Sequence, residues 1–233
     1  MALKCSIVVP TYNEEKYIKN LLESVKKQTV APVEVILVDA SSDKTREIAT
    51  KYGAKVVNQD VRRVSWARMR GFQEATGDII ISSDADTILA DNYVEQVTSA
   101  FSKPGIAAIF GPVYLHDGPA LFKFFSRTLF SIFLRFSVLI RRPNLNGMNF
   151  ACTKEAYTKS GGFDPEMVTA EDVYLGAKLQ KIGKIKYNSG VKVFTSARRI
   201  TGMGGWKFIW HHSKNFVKMA LGGKSSGDFE AFR

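Results

Sequence analysis

Short apolar runs alternate with helical periodicities along the first hundred residues. Residues 6–9, 35–38, 55–57 and 78–82 read as brief strands, three of them apolar almost throughout. Between them, residues 15–27 place Tyr17, Ile18, Leu21, Leu22 and Val25 on one helical face, and residues 44–52 and 65–75 predict two further helices. Apolar strands separated by helices imply an α/β fold. Its central sheet is parallel and doubly wound, with right-handed crossovers and helices on both faces.

Sheets of this kind bind ligands beyond the carboxyl ends of their strands. Those positions here are polar: Pro10-Thr11-Tyr12-Asn13-Glu14-Glu15, then Asp39-Ala40-Ser41-Ser42-Asp43, then Ser83-Asp84-Ala85-Asp86. Helix capping alone accounts for Ser41 to Asp43 about as well as ligand binding does. Three such loops on one sheet edge favour a ligand. Neither G-x-G-x-x-G after the first strand nor G-x-x-x-x-G-K-[ST] occurs, so a Rossmann dehydrogenase and a P-loop nucleotidase are disfavoured. In an extended stretch, Asp84 and Asp86 would point the same way. Two such carboxylates suit Mg2+ or Mn2+, which completes its shell with water and phosphate oxygens. A lone D-x-D is weak evidence, and its place at a strand end strengthens it.

These motifs, together with Ala67-Arg68-Met69-Arg70-Gly71 and Ala75-Thr76-Gly77-Asp78, resemble in order and spacing the family 2 glycosyltransferases of the GT-A fold, from about residue 4 to residue 200. The resemblance implies a mixed, mostly parallel central sheet and an inverting enzyme that uses a UDP- or GDP-sugar and a divalent metal. By the same resemblance Pro10, Thr11, Tyr12, Asn13, Glu14 and Ser41 line the donor pocket, Asp39 meets the nucleotide base, and Arg68 faces the nucleotide. Asp86 is then the direct metal ligand, with Asp84 near the metal or ribose and Ala85 between them. Many relatives have glycine where Ala40 stands.

Farther on, the stretch 146–152, with Asn146, Gly147 and Asn149, precedes a short helix and the turn Gly161-Gly162-Phe163, and the resemblance assigns stretch and turn to the acceptor side; for the turn, a tight bend with an apolar anchor is the plain alternative. Glu171 and Asp172 open a helix, where the helix dipole alone favours acids. The resemblance makes Asp172 the general base, with Glu171 as alternative base or acceptor-orienting group. Arg198 and Arg199 follow a strand over 191–195 and could grip a departing diphosphate, or form a solvated basic turn. His116, His211 and His212 lack carboxylates at metal-binding spacing.

Residues 119–140 are rich in Phe, Leu and Ile and long enough to span a bilayer, but Lys123, Arg127 and Arg135 lie among them. A single crossing would also separate the metal site from the base. The segment therefore reads as one interfacial amphipathic helix, as do residues 205–221, whose Lys207, His211, Lys214 and Lys218 recur at helical spacing. Packing into the core or a dimer is the competing reading. The expected organisation is a catalytic domain over 1–200, with a nucleotide-sugar half at 1–115, the inserted helix, and an acceptor half at 145–200. The helix over 205–221 and a flexible tail over 222–233 follow.

The chain has 233 residues, 45% apolar, with a formal charge of +11. That charge fits an anionic membrane better than nucleic acid, since acidic loops would repel phosphate without a cation. Cys5 and Cys152 are far apart and predict buried thiols in a reducing compartment. With no signal peptide in view, the expectation is a cytoplasmic protein, peripheral on the membrane's cytoplasmic face, with a lipid-linked acceptor. The competing classes are a sugar-phosphate nucleotidyltransferase, which lacks here its glycine-rich first loop, and a non-catalytic protein that binds an anionic surface or a nucleotide sugar. The sugar, the nucleotide and the oligomeric state stay open.

Overall fold

The central strands divide their side chains between two cores. Ile7, Val9, Leu37, Ile79 and Ile81 enter one, and Val8, Ile36, Val38 and Ile80 enter the other. Successive strand residues point to opposite faces, so a sheet covered on both sides needs apolar residues at every position. This is why the runs lack a polar alternation.

The computed structural model describes residues 3–202 and Gly204. The helix expected over 205–221, with His211 and His212, and the tail over 222–233 lie outside the described residues. In chain order the elements are β1 (Cys5–Thr11), α1 (Ile18–Lys26), β2 (Glu34–Asp39), α2 (Thr45–Lys51), β3 (Lys55–Asn58), α3 (Val64–Glu74), β4 (Ile79–Ser82), β5 (Thr87–Leu89) and α4 (Tyr93–Phe101). There follow β6 (Ile106–Phe110), β7 (Val113–Leu115), α5 (Ala120–Arg127), α6 (Leu129–Leu139), β8 (Phe150–Thr153), α7 (Lys154–Lys159), α8 (Glu171–Leu179), β9 (Lys184–Tyr187), β10 (Val193–Thr195) and α9 (Arg198–Gly202).

Seven strands form the main sheet in the order β3-β2-β1-β4-β8-β6-β9, and β5-β10-β7 form a small second sheet. The main sheet is mixed and mostly parallel, as expected: β8 alone runs against its neighbours β4 and β6. Because β8 is antiparallel, its leading loop over 146–149 arrives at the edge where β4 leaves. One core gathers α1, α4 and the small sheet, and the other gathers α3, α6, α7 and α8.

The single helix expected over 119–140 is two helices. Thr128 sits between α5 and α6 at φ −109° and ψ −84°, with its hydroxyl on the carbonyl of Phe124 at 2.8 Å. That local bond competes with helical continuation. The sidedness also differs from a basic stripe on an apolar cylinder. Ser126, Ser131, Leu134 and Ser137 turn inward, while Leu121 (61% exposed), Phe124 (63%), Ile132 (62%) and Leu139 (77%) face out. The buried serines are satisfied locally, Ser126 by the Lys123 carbonyl and Ser137 by the Leu134 carbonyl. No described helix is long and apolar enough to cross a membrane.

Helix α3 lies close on the sheet at Gly71, where a Cβ would stand 2.3 Å from Val8 Cγ1 and 3.0 Å from Val38 Cγ2. Gly71→Ala is therefore expected to destabilise the fold. Overpacking costs about 1–3 kcal/mol, which at this contact outweighs the roughly 1 kcal/mol that alanine gains over glycine in a helix. Urea denaturation reads the difference, and an unchanged or higher midpoint would contradict this close approach.

Candidate active site

The first two loops lock onto one another. Parallel register sets Thr11 beside Asp39, and Asp39 is fully buried. Its Oδ1 accepts from Thr11 Oγ1 at 2.7 Å and Ser41 Oγ at 2.6 Å, and its Oδ2 accepts from Arg46 Nη2 at 3.2 Å. Asn13, at φ +54°, donates its amide to Ser41 Oγ at 2.7 Å. Asp43 accepts from the amide of Thr45, the first residue of α2, at 2.9 Å, while the cap residue itself is Lys44 and has no side-chain capping bond. Arg62 stacks over the Tyr12 ring at 4.7 Å. Sequence reasoning missed Arg46 and Arg62; for Arg46 the signal was its place in the first turn of the helix that follows Asp39. A cleft of about 970 Å³ beside these loops is lined by Glu15, Ser41, Asp43 and Arg46, and the acids described next do not border it.

The aspartates expected in an extended stretch occupy a turn between β4 and β5, with the amide of Thr87 on the carbonyl of Asp84 at 3.1 Å. A turn sends the two carboxylates to different partners. Asp84 Oδ1 accepts from Arg68 Nη2 at 2.6 Å, while Arg68 Nη1 binds Glu171 Oε1. All three residues are buried. Arg68 thus bridges two carboxylates, where the resemblance had it facing the nucleotide. Gly147 makes room for it: a Cβ there would stand 2.2 Å from Arg68 Nη2. Burial works against the Asp84 carboxylate, but Arg68 and then Arg199 outweigh it and hold the group below its ordinary range.

Asp172 accepts from the amide of Gly147 at 2.6 Å. Burial first, and then the charge of Glu171, push its carboxyl up to about 7, against the pull of Arg68. A carboxylate ionised near neutrality and still basic is matched to proton abstraction. Ala170, just before the pair, holds φ +58°. With Asn13, it is one of two strained non-glycine residues that border the site.

The small sheet brings the arginines to Asp86. Thr87 in β5 pairs with Thr195 in β10, so the residue before one faces the segment after the other. Arg198 Nε donates to Asp86 Oδ2 at 2.8 Å and Nη2 to Glu14 Oε1 at 2.7 Å, and its guanidinium lies 4.3 Å over the Tyr17 ring. Arg199 Nη2 stands 3.5 Å from Asp84 Oδ2. Thr195 Oγ1 reaches Asp86 Oδ1 at 3.4 Å.

Of the acceptor-side residues, Asn149 is fully buried and its amide is spent inside the protein. It accepts from Tyr93 and donates to the carbonyls of Pro112 and Val191. Its role here is architectural. Asn146 Nδ2, by contrast, is buried without a hydrogen-bond partner. Pro10 and Ala85 contribute backbone shape; Ala85 is buried. Cys5 and Cys152 are free and buried, and burial raises both thiols, Cys5 to about 12, which leaves them unreactive.

The donor set at Asp84 and Asp86 fits a hard divalent cation. Two carboxylates at a strand end already hold cations, the guanidinium of Arg198 on Asp86 and that of Arg199 on Asp84. Among the described residues no cluster of three or more His, Cys, Asp or Glu side chains could hold an ion. Were Asp84 and Asp86 the ligands, phosphate and water would complete the shell, as Mg2+ and Mn2+ prefer.

Residues 6–161 match the model of Glycosyl transferase family 2. The O-antigen chain rhamnosyltransferase of Salmonella typhimurium is 27% identical over an alignment 200 residues long that covers 79% of this chain and 64% of that protein. The undecaprenyl-phosphate 4-deoxy-4-formamido-L-arabinose transferase of Pectobacterium carotovorum is 30% identical over 66% of this chain and 48% of its own. Among solved structures, a mannosyltransferase from Pyrobaculum calidifontis in complex with GDP-Man and Mn2+ superposes with a TM-score of 0.72 at 20% identity, covering 97% of this chain and 66% of that one. The fold is shared with that GT-A enzyme, and the chain spans about half to two thirds of these proteins.

Removing Arg68 would leave Asp84 and Glu171 buried without their shared counter-ion. Arg68→Ala is expected to cost about 3–5 kcal/mol, the usual loss when one member of a buried ionic group is deleted. Arg68→Lys should recover part of it. Equal thermal stability of Arg68→Ala and the unaltered chain would contradict the bridging role.

Proposed function

The chain belongs to glycosyl transferase family 2, and on that footing we propose that it is an inverting glycosyltransferase using a UDP- or GDP-sugar at a membrane surface. The observation that carries the reading is the buried chain Asp84–Arg68–Glu171 beside Asp172. It ties a carboxylate on the diphosphate side to one tuned for proton abstraction.

In this mechanism Asp172 takes the proton of an acceptor hydroxyl. The freed oxygen bonds to the anomeric carbon from the face opposite the donor diphosphate, the carbon–oxygen bond to that diphosphate breaks, and the nucleoside diphosphate leaves with the bonding pair. Configuration inverts in one displacement. Arg198 and Arg199 meet the leaving charge with fork-shaped donors. Pro10 to Glu14, Asp39 and Ser41 form the nucleotide side, and Asn146 and Gly147 form the acceptor side. Asp86, with Asp84 beside it, would hold a divalent metal, which when bound supplies Lewis-acid neutralisation of the diphosphate. A hydroxyl acceptor would use Asp172 as its base, and a phosphate acceptor, already ionised, would attack without one.

A lipid-linked acceptor is supported by two things. One is the exposed apolar face of α5 and α6, with Arg127 and Arg135 exposed beside it. The other is the name of one relative, which acts on undecaprenyl phosphate. The corresponding location is peripheral, on the cytoplasmic face of a membrane.

With a panel of UDP- and GDP-sugars, Mn2+ and lipid acceptors in anionic vesicles, one donor is expected to release nucleoside diphosphate, faster with vesicles than without. Asp172→Asn should lower kcat by about 10²- to 10⁴-fold, the usual worth of a general base. Because Asp172 must be deprotonated, kcat/KM should rise with pH through about 7 and level above it. No release from any donor would end the transferase reading, and full activity in Asp172→Asn would reassign the base.

A further inference from the structure

The guanidinium of Arg198 is met by Asp86, Glu14 and Tyr17, but its main chain needs a separate anchor. Helix α9 has five residues, too few to be stable alone, because the first helical turn fixes three residues for one hydrogen bond. Strand β10, which leads into it, has three. What fixes the junction is the loop after β7. The amide of His116 bonds the carbonyl of Thr195 at 3.1 Å, which extends the ladder by one step. Asp117 then accepts twice: its Oδ1 from the amide of Ala197 at 2.5 Å, and its Oδ2 from Ser196 Oγ at 2.8 Å. Ser196 Oγ in turn accepts from the amide of Arg198 at 3.2 Å. Gly118 follows at φ +80°, where a Cβ would stand 2.6 Å from Ala197 Cβ, so the loop can close on this segment because it carries no side chain there.

We propose that Asp117 is a positioning residue for sugar transfer: by pinning Ser196 and Ala197 it sets Arg198 against the donor diphosphate. This rests on the reading of Arg198 as a diphosphate ligand. Asp117 itself touches neither Asp84, Asp86 nor the Glu171–Asp172 pair. It acts through the backbone, and the acceptor geometry asks for a carboxylate. Asparagine would keep the bond from Ala197 but present its NH2 group where Ser196 donates. Alanine would lose both bonds and leave the Ala197 amide unpartnered.

Two measurements on the full chain decide it. Amide hydrogen exchange of the ligand-free protein should quicken by about tenfold or more over residues 197–202 in Asp117→Ala, the scale of one lost charge-assisted bond, less in Asp117→Asn, and not at all in β1 or β4. Affinity for UDP or GDP with Mn2+ should fall about tenfold in Asp117→Ala, by the same bond, and not fall further when the substitution is added to Arg198→Ala. Unchanged exchange over 197–202 would overturn the proposal. So would additive affinity losses, since a general structural defect would add to the loss of Arg198. Failure of the unaltered chain to bind either nucleotide would sink the transferase reading and remove the ligand assigned to Arg198, and the exchange result would still decide the clamp.

Discussion

One buried guanidinium joins three distant elements of the fold. Arg68 leaves α3 and ends between Asp84, just after β4, and Glu171, at the start of α8. Its Nε finds no hydrogen-bond partner. Desolvating three charges is costly, and an apolar trio of equal volume could be as stable. What the ions provide is a division of labour among three acids. Despite its burial, Asp84 is held ionised by Arg68, with Arg199 and Arg198 adding to the effect. Asp172 is kept basic by burial and by Glu171, close enough to Arg68 to feel it without being neutralised. Gly147, which admits the guanidinium and binds Asp172, completes the arrangement, and its carbonyl is held by Ser82 Oγ at 2.6 Å.

The small sheet places a further pair of arginines. Arg198 and Arg199 come from beyond the small sheet, whose register carries them over the carboxylates that a metal would take. The guanidinium of Arg198 is seated on Asp86 and Glu14. On the outside, α5 and α6 turn serines inward and Leu121, Phe124, Ile132 and Leu139 outward. An apolar face of this kind, flanked by arginines, is unusual for a surface that meets water alone.

Much of this was legible in the sequence, and the gaps have physical causes. The strands were plain because a doubly covered sheet writes continuous apolar runs, and the polar loops at their ends marked the site's edge. Arg68 was placed against a nucleotide because motif position says which strand end a residue serves, not which neighbour compensates its charge. Asp84 and Asp86 seemed to point together because strand periodicity was carried one turn too far. Thr128 broke a helix that composition made continuous. Asn149 shared a motif with Asn146, yet Tyr93 and two carbonyls, all distant in sequence, consumed its amide. Asp117 could not be read at all, since its partners lie about eighty residues away and no local pattern marks it.

The central claim is that Arg68 and burial set Asp84 and Asp172 to opposite roles before any ligand arrives. A carbon-13 titration of the aspartate carboxyls in the ligand-free protein tests it most directly. The account predicts that Asp172 titrates near pH 7 while Asp84 stays ionised below the ordinary carboxylate range. Both groups titrating together within that ordinary range would contradict it.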